Sequence, residues 1–483
     1  MTRYEVDFLG CKISHTDAQT IGDALAAAGH VEEDAAGGAA VRVVNTCCIT
    51  GEAERKSRQR VRRMVGALDA AELVQGRVFV TGCGAANHAE QYTAIDERVV
   101  VVPGAAGLAA HAIVEAADAL AGLGCRGPIA GVAPGHEPAR RPAASQRTRA
   151  FVKVQDGCDF HCSYCIVPTV RGEPRSRSIE AVLADVARRV SRGQREIVLT
   201  GVNIGLFRDP NSRWGLDRLL LAVADVDGVQ RVRISSIESN HVNRRLVAAM
   251  ASHPKVCPHL HVPLQSGDDA VLADMRRHYD SARYERAIEH ARSAVPELNL
   301  TTDVIVGYPD EDDASFERTL ALVTRLGITK VHAFPFSERP GTDAAQHRDP
   351  IDAAVKAERS RRLRAAADEA AVRHRARLVG RDDEVMVETR RSAGYGGPAG
   401  VVLSEDPAPA EPVGMRGPDA RERERHGVSG VPRRTGYTRD YSPVRMLDAP
   451  DDMPDGTLVA VRLESLDAAT GVLAARVTGT VRT

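Results

Sequence analysis

The sequence predicts an α/β protein in three parts: an N-terminal open parallel α/β domain, a central partial (β/α)6 barrel and a small C-terminal β-barrel. Three observations carry that expectation. Short β-branched runs alternate with helical stretches over most of the chain, the pattern of parallel sheets wrapped by helices. A segment rich in Pro, Gly, Ala and Arg at 126–146 interrupts the alternation and reads as a linker. Beyond residue 378 the helical pattern stops and short strand-like runs replace it.

The first domain, 1–125, has strand-like runs at 4–8, 41–44, 77–80 and 99–102, with helical stretches at 17–28 and 52–68. The core, 147–377, repeats strand then helix. Its strands are expected at 150–154, 196–200, 231–235, 259–264, 298–306 and 330–336, with helices such as 178–192 and 313–326. Six units are too few to close an eight-stranded barrel, so an open barrel is expected, with its chemistry at the carboxyl face. A basic helix over 353–378 ends this part. The last part, 378–483, has strand-like runs at 384–388, 441–446 and 457–463, and a low-complexity insertion at 404–431 that is expected to be disordered.

Composition narrows the class. The chain has 483 residues and a net charge of −1 that hides clustered arginines. No apolar run approaches the roughly 18 residues of a membrane span. The nine cysteines are an odd number without a signal-peptide pattern, which points to a reducing, cytoplasmic setting.

The cysteines carry the chemistry. Cys158, Cys162 and Cys165 form a C-x3-C-x2-C triplet directly after the first barrel strand. A 4Fe–4S cluster has four irons and takes thiolate ligands, so three thiolates leave one iron open. Zinc normally wants four N or S ligands in two separated halves, and a disulfide framework does not suit the compartment. Cys11, Cys47 and Cys83 each follow a strand of the first domain at equal spacing. Ligands of open α/β sheets bind beyond the carboxyl ends of strands, so these three either converge there or are ordinary buried cysteines. Cys48 is expected to point away from them as packing. Cys125 is incidental, and Cys257, His161 and His261 are structural. At the barrel's carboxyl face the residues expected to bind a cofactor are Tyr164, Gly201, Asn203, Ser236, Glu238 and Gln265.

The triplet's spacing is that of the radical S-adenosylmethionine (SAM) enzymes. Further motifs extend the likeness: Leu9-Gly10-Cys11-Lys12, Asn45-Thr46-Cys47, Thr81-Gly82-Cys83, Arg171-Gly172-Glu173-Pro174-Arg175-Ser176-Arg177, Pro263-Leu264-Gln265-Ser266-Gly267, 303–309 and Arg339-Pro340-Gly341-Thr342. In this order they make the chain resemble the methylthiotransferases of the radical SAM superfamily over nearly its whole length. The resemblance implies two 4Fe–4S clusters, one on Cys158, Cys162 and Cys165 and one on Cys11, Cys47 and Cys83. It also implies SAM, cleaved reductively to start radical chemistry, sulfur from the second cluster, and a C-terminal RNA-binding TRAM barrel. No side chain is expected to act as acid or base.

Three branches of that family act on isopentenyladenosine in tRNA, threonylcarbamoyladenosine in tRNA, and an aspartate of a ribosomal protein. Stretches 10–12, 50–59, 199–205 and 332–337 look most like the threonylcarbamoyladenosine branch. The partners implied are the tRNA anticodon loop and an electron donor such as flavodoxin or ferredoxin. Arg171, Arg175, Arg177, Arg361 and Arg362 are the expected RNA contacts, unless their glutamate neighbours hold them. Thr169, Gly84 and Cys48 depart from the family pattern. The rival from another class is a non-catalytic iron–sulfur RNA-binding sensor, which would need no open iron.

Overall fold

The computed structural model describes residues 1–33, 38–122, 148–347, 351–388, 434–450 and 452–480. Cys125, the 126–146 linker and the 404–431 insertion lie outside them.

The N-terminal domain is a five-stranded parallel sheet in the spatial order Val31–Glu32, Arg3–Phe8, Val41–Thr46, Arg77–Gly82 and Val99–Val101. The central strand Val41–Thr46 is buried throughout. Ile21, Leu25 and Ile113 of the helices Lys12–Ala27 and Ala106–Gly122 cover one face with Tyr4 and Val41. Val61, Met64 and Leu68 of Gly51–Ala70 cover the other. Burial on both faces is what an all-parallel sheet requires. The first helix starts at Lys12, five residues before the expected 17. Its N-cap is Cys11, which makes no side-chain cap bond, so the sequence carries no Ser, Thr, Asn or Asp signal there.

Six parallel strands form the barrel. Arg149–Asp156, Glu196–Gly201 and Arg231–Ile234 pair in that order, as do His259–His261, Asn299–Val306 and Lys330–Pro335. Single bridges, Val232 to Val256 and Ser236 to His261, join the two runs. The strand His259–His261 stops short of the expected 264. Pro263 has no N–H to donate, so regular pairing stops there and resumes only as a single bridge between Gln265, at φ +62, and Val304.

The basic helix Ala353–Ala376 lies against the last barrel strand. One of its arginines goes inward. Arg359 is buried and donates to Glu311 at 2.7 Å and to Asp313 at 2.8 Å.

The C-terminal strands close into a barrel in the order Asp382–Val387, Thr435–Tyr437, Pro443–Met446, Val472–Thr480 and Leu458–Asp467. Thr435–Tyr437 and Val472–Thr480 are strands the sequence reading lacked. The second is diluted by Ala, Gly and Thr, and is recruited by its pairing with Leu458–Asp467. Among the described residues no helix is long and apolar enough to cross a membrane.

Charged pairs dock this barrel on the core. Arg149 donates to Glu388 at 2.6 Å, and His374 pairs with Asp440 at 2.6 Å with both side chains buried. Removing one partner of a buried pair strands the other charge, at about 3–5 kcal/mol. His374→Leu should therefore lower the melting temperature clearly, by thermal denaturation followed with circular dichroism. An unchanged midpoint would mean the pair does not hold the barrel in place.

Candidate active site

The strands Arg3–Phe8, Val41–Thr46 and Arg77–Gly82 are neighbours in the sheet, so Cys11, Cys47 and Cys83 emerge side by side at their carboxyl ends. The fit is close. A Cβ on Gly10 would lie 2.6 Å from the Cys47 Cβ and 2.8 Å from its Sγ, and Gly10 itself has φ +114. Only glycine meets both demands. Burial pushes the Cys47 thiol up, and the neighbouring Cys11 and Cys83 push the same way. Cys11 is exposed, whereas Cys47 and Cys83 are buried, so this triplet is open at one edge.

Cys48 does not point away from this group, contrary to expectation. It is fully buried and hydrogen-bonded to Cys83. That bond brings the Cys83 thiol down to about 6 against the effect of burial, with Arg171 acting in the same direction. Gly84 also has a reason: a Cβ there would meet the Tyr92 hydroxyl at 2.7 Å and the Thr46 Oγ1 at 2.9 Å.

The second triplet sits on the loop after the first barrel strand. Gly157, at φ +77, lets the loop press on the next turn, where a Cβ would lie 2.6 Å from the Gly172 carbonyl oxygen. The Cys158 amide donates to that same oxygen at 3.0 Å. Further along, the Ser163 amide donates to the Met275 carbonyl at 3.2 Å and its hydroxyl meets Tyr308 at 2.9 Å. Burial raises the Cys158 thiol and pushes Cys165 up to about 12. Such thiols stay protonated near neutral pH until a cation displaces their protons, the usual coupling of metal binding to ionisation.

The two triplets meet. Ile166, the residue after Cys165, packs with Val170 against Cys48 and Cys83. Beside them Arg171 crosses between the domains. Its Nε donates to Cys83 Sγ at 3.0 Å, and its terminal nitrogens to Asp156 at 3.0 Å and Asp17 at 3.1 Å. Asp17 also pairs with Lys153 of the first barrel strand.

Around the barrel mouth, Arg277 organises the remaining groups. One terminal nitrogen lies 3.2 Å from the Tyr164 hydroxyl and 3.3 Å from Cys162 Sγ, its Nε donates to Tyr279, and it pairs with Glu238. The sequence reading missed Arg277, which lies in a loop of adjacent charges without a recognisable motif. The Asn203 backbone amide donates to Gln155 Oε1 at 2.8 Å, and its Nδ2 reaches within 3.8 Å of Cys158 Sγ. Its buried Oδ1 has no partner among the described residues. Gly201 closes on Gln155, where a Cβ would come within 3.1 Å. Ser236 and Gln265 hold single bridges to His261 and Val304 at the ends of their strands. A thiol triplet with an open side and an orphaned carbonyl-type acceptor next to it suits a cluster and a polar ligand bound together.

His261, which the sequence reading left as structural, belongs to a further polar group on the barrel strands. His261 ends its strand, while Asp303 and His332 face each other within the two adjacent strands, and the ligating atoms of all three lie within 4.8 Å of one another. His261 Nε2 pairs with Asp303 at 3.2 Å, and its Nδ1 meets Thr301 Oγ1 at 2.9 Å. Burial pushes the Asp303 carboxyl up, but His261, His332 and Lys12 outweigh it and hold it below the ordinary range. Lys12 follows Cys11, and Asp303 in turn raises Glu238, whose main upward push is burial. Lys12 of the N-terminal domain and Glu238 of the barrel are therefore charged neighbours of Asp303.

The arginines expected on RNA divide. Arg171 is a correction: all three of its guanidinium nitrogens are engaged inside the protein. Arg177 is similarly committed, to the Lys153 and Ala181 carbonyls and to Asp185. Arg361 is exposed but paired with Glu358, and Arg362 with Glu317. Arg175 is exposed, and among the described residues its side chain bonds only the Arg171 carbonyl.

Comparison with known proteins agrees with this architecture. A radical SAM superfamily model matches residues 152–323, and the model described as uncharacterized protein family UPF0004 matches residues 3–104. A Thermotoga maritima protein, threonylcarbamoyladenosine tRNA methylthiotransferase MtaB, is 34% identical over 80% of this chain and 87% of its own. Its namesake from Bacillus subtilis is 35% identical over 75% and 80%. The tRNA-2-methylthio-N(6)-dimethylallyladenosine synthase of Sorangium cellulosum is 34% identical over 84% and 85%. Among solved structures, the radical SAM methyltransferase TsrM from Kitasatospora setae matches with TM-score 0.53 and 14% identity, over 71% of this chain and 75% of that one, a likeness of fold. The chain belongs to the radical SAM methylthiotransferases, and its cofactors are SAM and two 4Fe–4S clusters.

Proposed function

We propose that this chain adds a methylthio group to C2 of N6-threonylcarbamoyladenosine at position 37 of tRNA, in the cytoplasm. Overall identity does not select this substrate, because relatives named for threonylcarbamoyl- and dimethylallyladenosine match equally well. The observation that carries the choice is the polar cluster of His261, Asp303 and His332, with Lys12 as a charged neighbour of Asp303. An isopentenyl group is a branched hydrocarbon, which would shield these polar groups from water while offering them no hydrogen bond in return, a costly arrangement. A threonylcarbamoyl group presents a carboxylate and a hydroxyl that imidazoles and an ammonium can bind. A divalent cation at the same residues would meet the Lys12 charge, so an anionic group is the better occupant.

The division of labour follows from the same geometry. In this reading Cys158, Cys162 and Cys165 hold one cluster, and Cys11, Cys47 and Cys83 the other. When bound, the cluster on Cys158, Cys162 and Cys165 would supply the open iron and the electron for reductive SAM chemistry, and the one on Cys11, Cys47 and Cys83 would supply sulfur. Tyr164, Gly201, Asn203, Ser236, Glu238 and Gln265 bind SAM, with Arg277 fixing Tyr164 and Glu238. The Asn203 Oδ1 is free to accept a donor from the ligand. A flavodoxin or ferredoxin is the electron source.

Mass spectrometry of tRNA nucleosides from a deletion strain tests the substrate. Loss of 2-methylthio-threonylcarbamoyladenosine supports the reading, and loss of only the isopentenyl form overturns it. With purified enzyme, His332→Leu should raise KM for threonylcarbamoylated tRNA about tenfold or more, the worth of one charge-assisted hydrogen bond. Equal KM values would remove His332 from substrate recognition. Arg171→Ala leaves Asp17 and Asp156 short of a cation and Cys83 without its donor. It should lower iron content after reconstitution from about eight per chain toward about four, and full iron would show that Arg171 does not support the second cluster.

A further inference from the structure

Beside the barrel mouth is a cleft of about 490 Å³ lined by Arg208, Arg213, His241, Arg244 and Arg245, with Asp217 its one carboxylate. It is built from the loops after the second and third barrel strands, so it opens on the carboxyl face. Arginines elsewhere in this protein are mostly paired. Here the side chains of Arg213, Arg244 and Arg245 make no hydrogen bond or ion pair among the described residues, and Arg208 bonds only a backbone carbonyl.

Two of these arginines stand where folding alone would not put them. Arg244 and Arg245 open the helix Arg244–Ser252, whose first turn contains no acidic residue. The N-terminal end of a helix carries partial positive charge and repels cations. Asn243 caps the helix by accepting from the Arg245 and Leu246 amides, so the end itself needs nothing more. Two uncompensated guanidiniums added to a positive helix end make a place for an anion.

The facing loop is held rigid. Asp209 is buried and accepts from the Ile179 amide at 2.9 Å and from the Ser212 amide at 2.6 Å, while its own amide donates to Trp214. Within this loop Arg213 sits at φ +62, a left-handed conformation that glycine would adopt more cheaply. Next to it is the chain's one tryptophan, Trp214, 51% exposed, with the Arg218 guanidinium 5.8 Å over its ring. Arginines track phosphates, and an exposed indole gives an unpaired base a stacking surface; together they are the pattern of single-stranded nucleic-acid sites. The cleft also adjoins the reaction centre, since His241 stacks on Phe160 of the cysteine loop at 6.2 Å.

We infer that this cleft grips the phosphate backbone of the RNA substrate, with Trp214 stacking on an unpaired base next to the target nucleoside. The inference rests on the tRNA reading above and names the surface that holds the RNA. These residues were not among the arginines expected from sequence to contact RNA, most of which are paired within the protein.

The double variant Arg244→Glu, Arg245→Glu tests it. Acidic residues suit a helix N-terminus, so its melting temperature should be equal to or above that of the wild type. Its affinity for unmodified tRNA, measured by filter binding over a salt series, should fall at least tenfold, with a salt slope shallower by about two. Trp214→Ala should weaken binding about tenfold without that change in slope. If wild-type protein binds no tRNA, the RNA reading itself fails. If wild type binds and both variants bind equally well, the cleft proposal is overturned.

Discussion

The guanidinium of Arg171 is the contact on which the arrangement of the two cysteine triplets depends. It bonds Cys83 of the N-terminal domain, Asp156 beside the barrel's cysteine loop, and Asp17 on the first helix. Burying such a cation costs several kcal/mol unless every bond is made, so the geometry is all-or-none. Apolar contact of Ile166 and Val170 with Cys48 and Cys83 closes the same seam. Two cofactor sites built on different sheets are thereby held in one fixed relation. A substrate atom that must meet both has a defined place to be.

That place is polar on its barrel side. His261, Asp303 and His332 come from three successive strands whose carboxyl ends point at it, and Lys12 reaches it from the residue after Cys11. The two domains therefore both act on the Asp303 carboxylate. Shared construction of this kind couples the sulfur-bearing side to recognition of the acceptor. Arg277 plays a matching part on the other side, tying Cys162, Tyr164, Tyr279 and Glu238 together with a single side chain.

Much of this was legible in the sequence because parallel sheets advertise themselves. Each β-branched run carried its cysteine to the strand's carboxyl end; the residues left open whether Cys11, Cys47 and Cys83 converge, the family resemblance implied that they do, and the adjacency of their strands places them side by side. Contacts between distant segments were not legible. Arg171 looked like an RNA ligand because a basic motif does not reveal that Asp17 and Cys83 lie opposite it. Cys48 looked like packing because its bond to Cys83 joins two strand ends. His261 looked structural because its partners, Asp303 and His332, are more than forty residues away. The strand Val472–Thr480 was missed because its pairing, more than its composition, makes it a strand.

The most direct measurement compares two triple variants after anaerobic reconstitution, one with Cys11, Cys47 and Cys83 changed to alanine, the other with Cys158, Cys162 and Cys165 changed. Iron is counted and reductive SAM cleavage to 5′-deoxyadenosine is followed in each. Each variant should hold about four irons per chain in place of about eight. Only the variant that keeps Cys158, Cys162 and Cys165 should cleave SAM, and neither should thiolate tRNA. Eight irons in the first variant, or SAM cleavage by the second, would contradict the assignment of one cluster to each triplet.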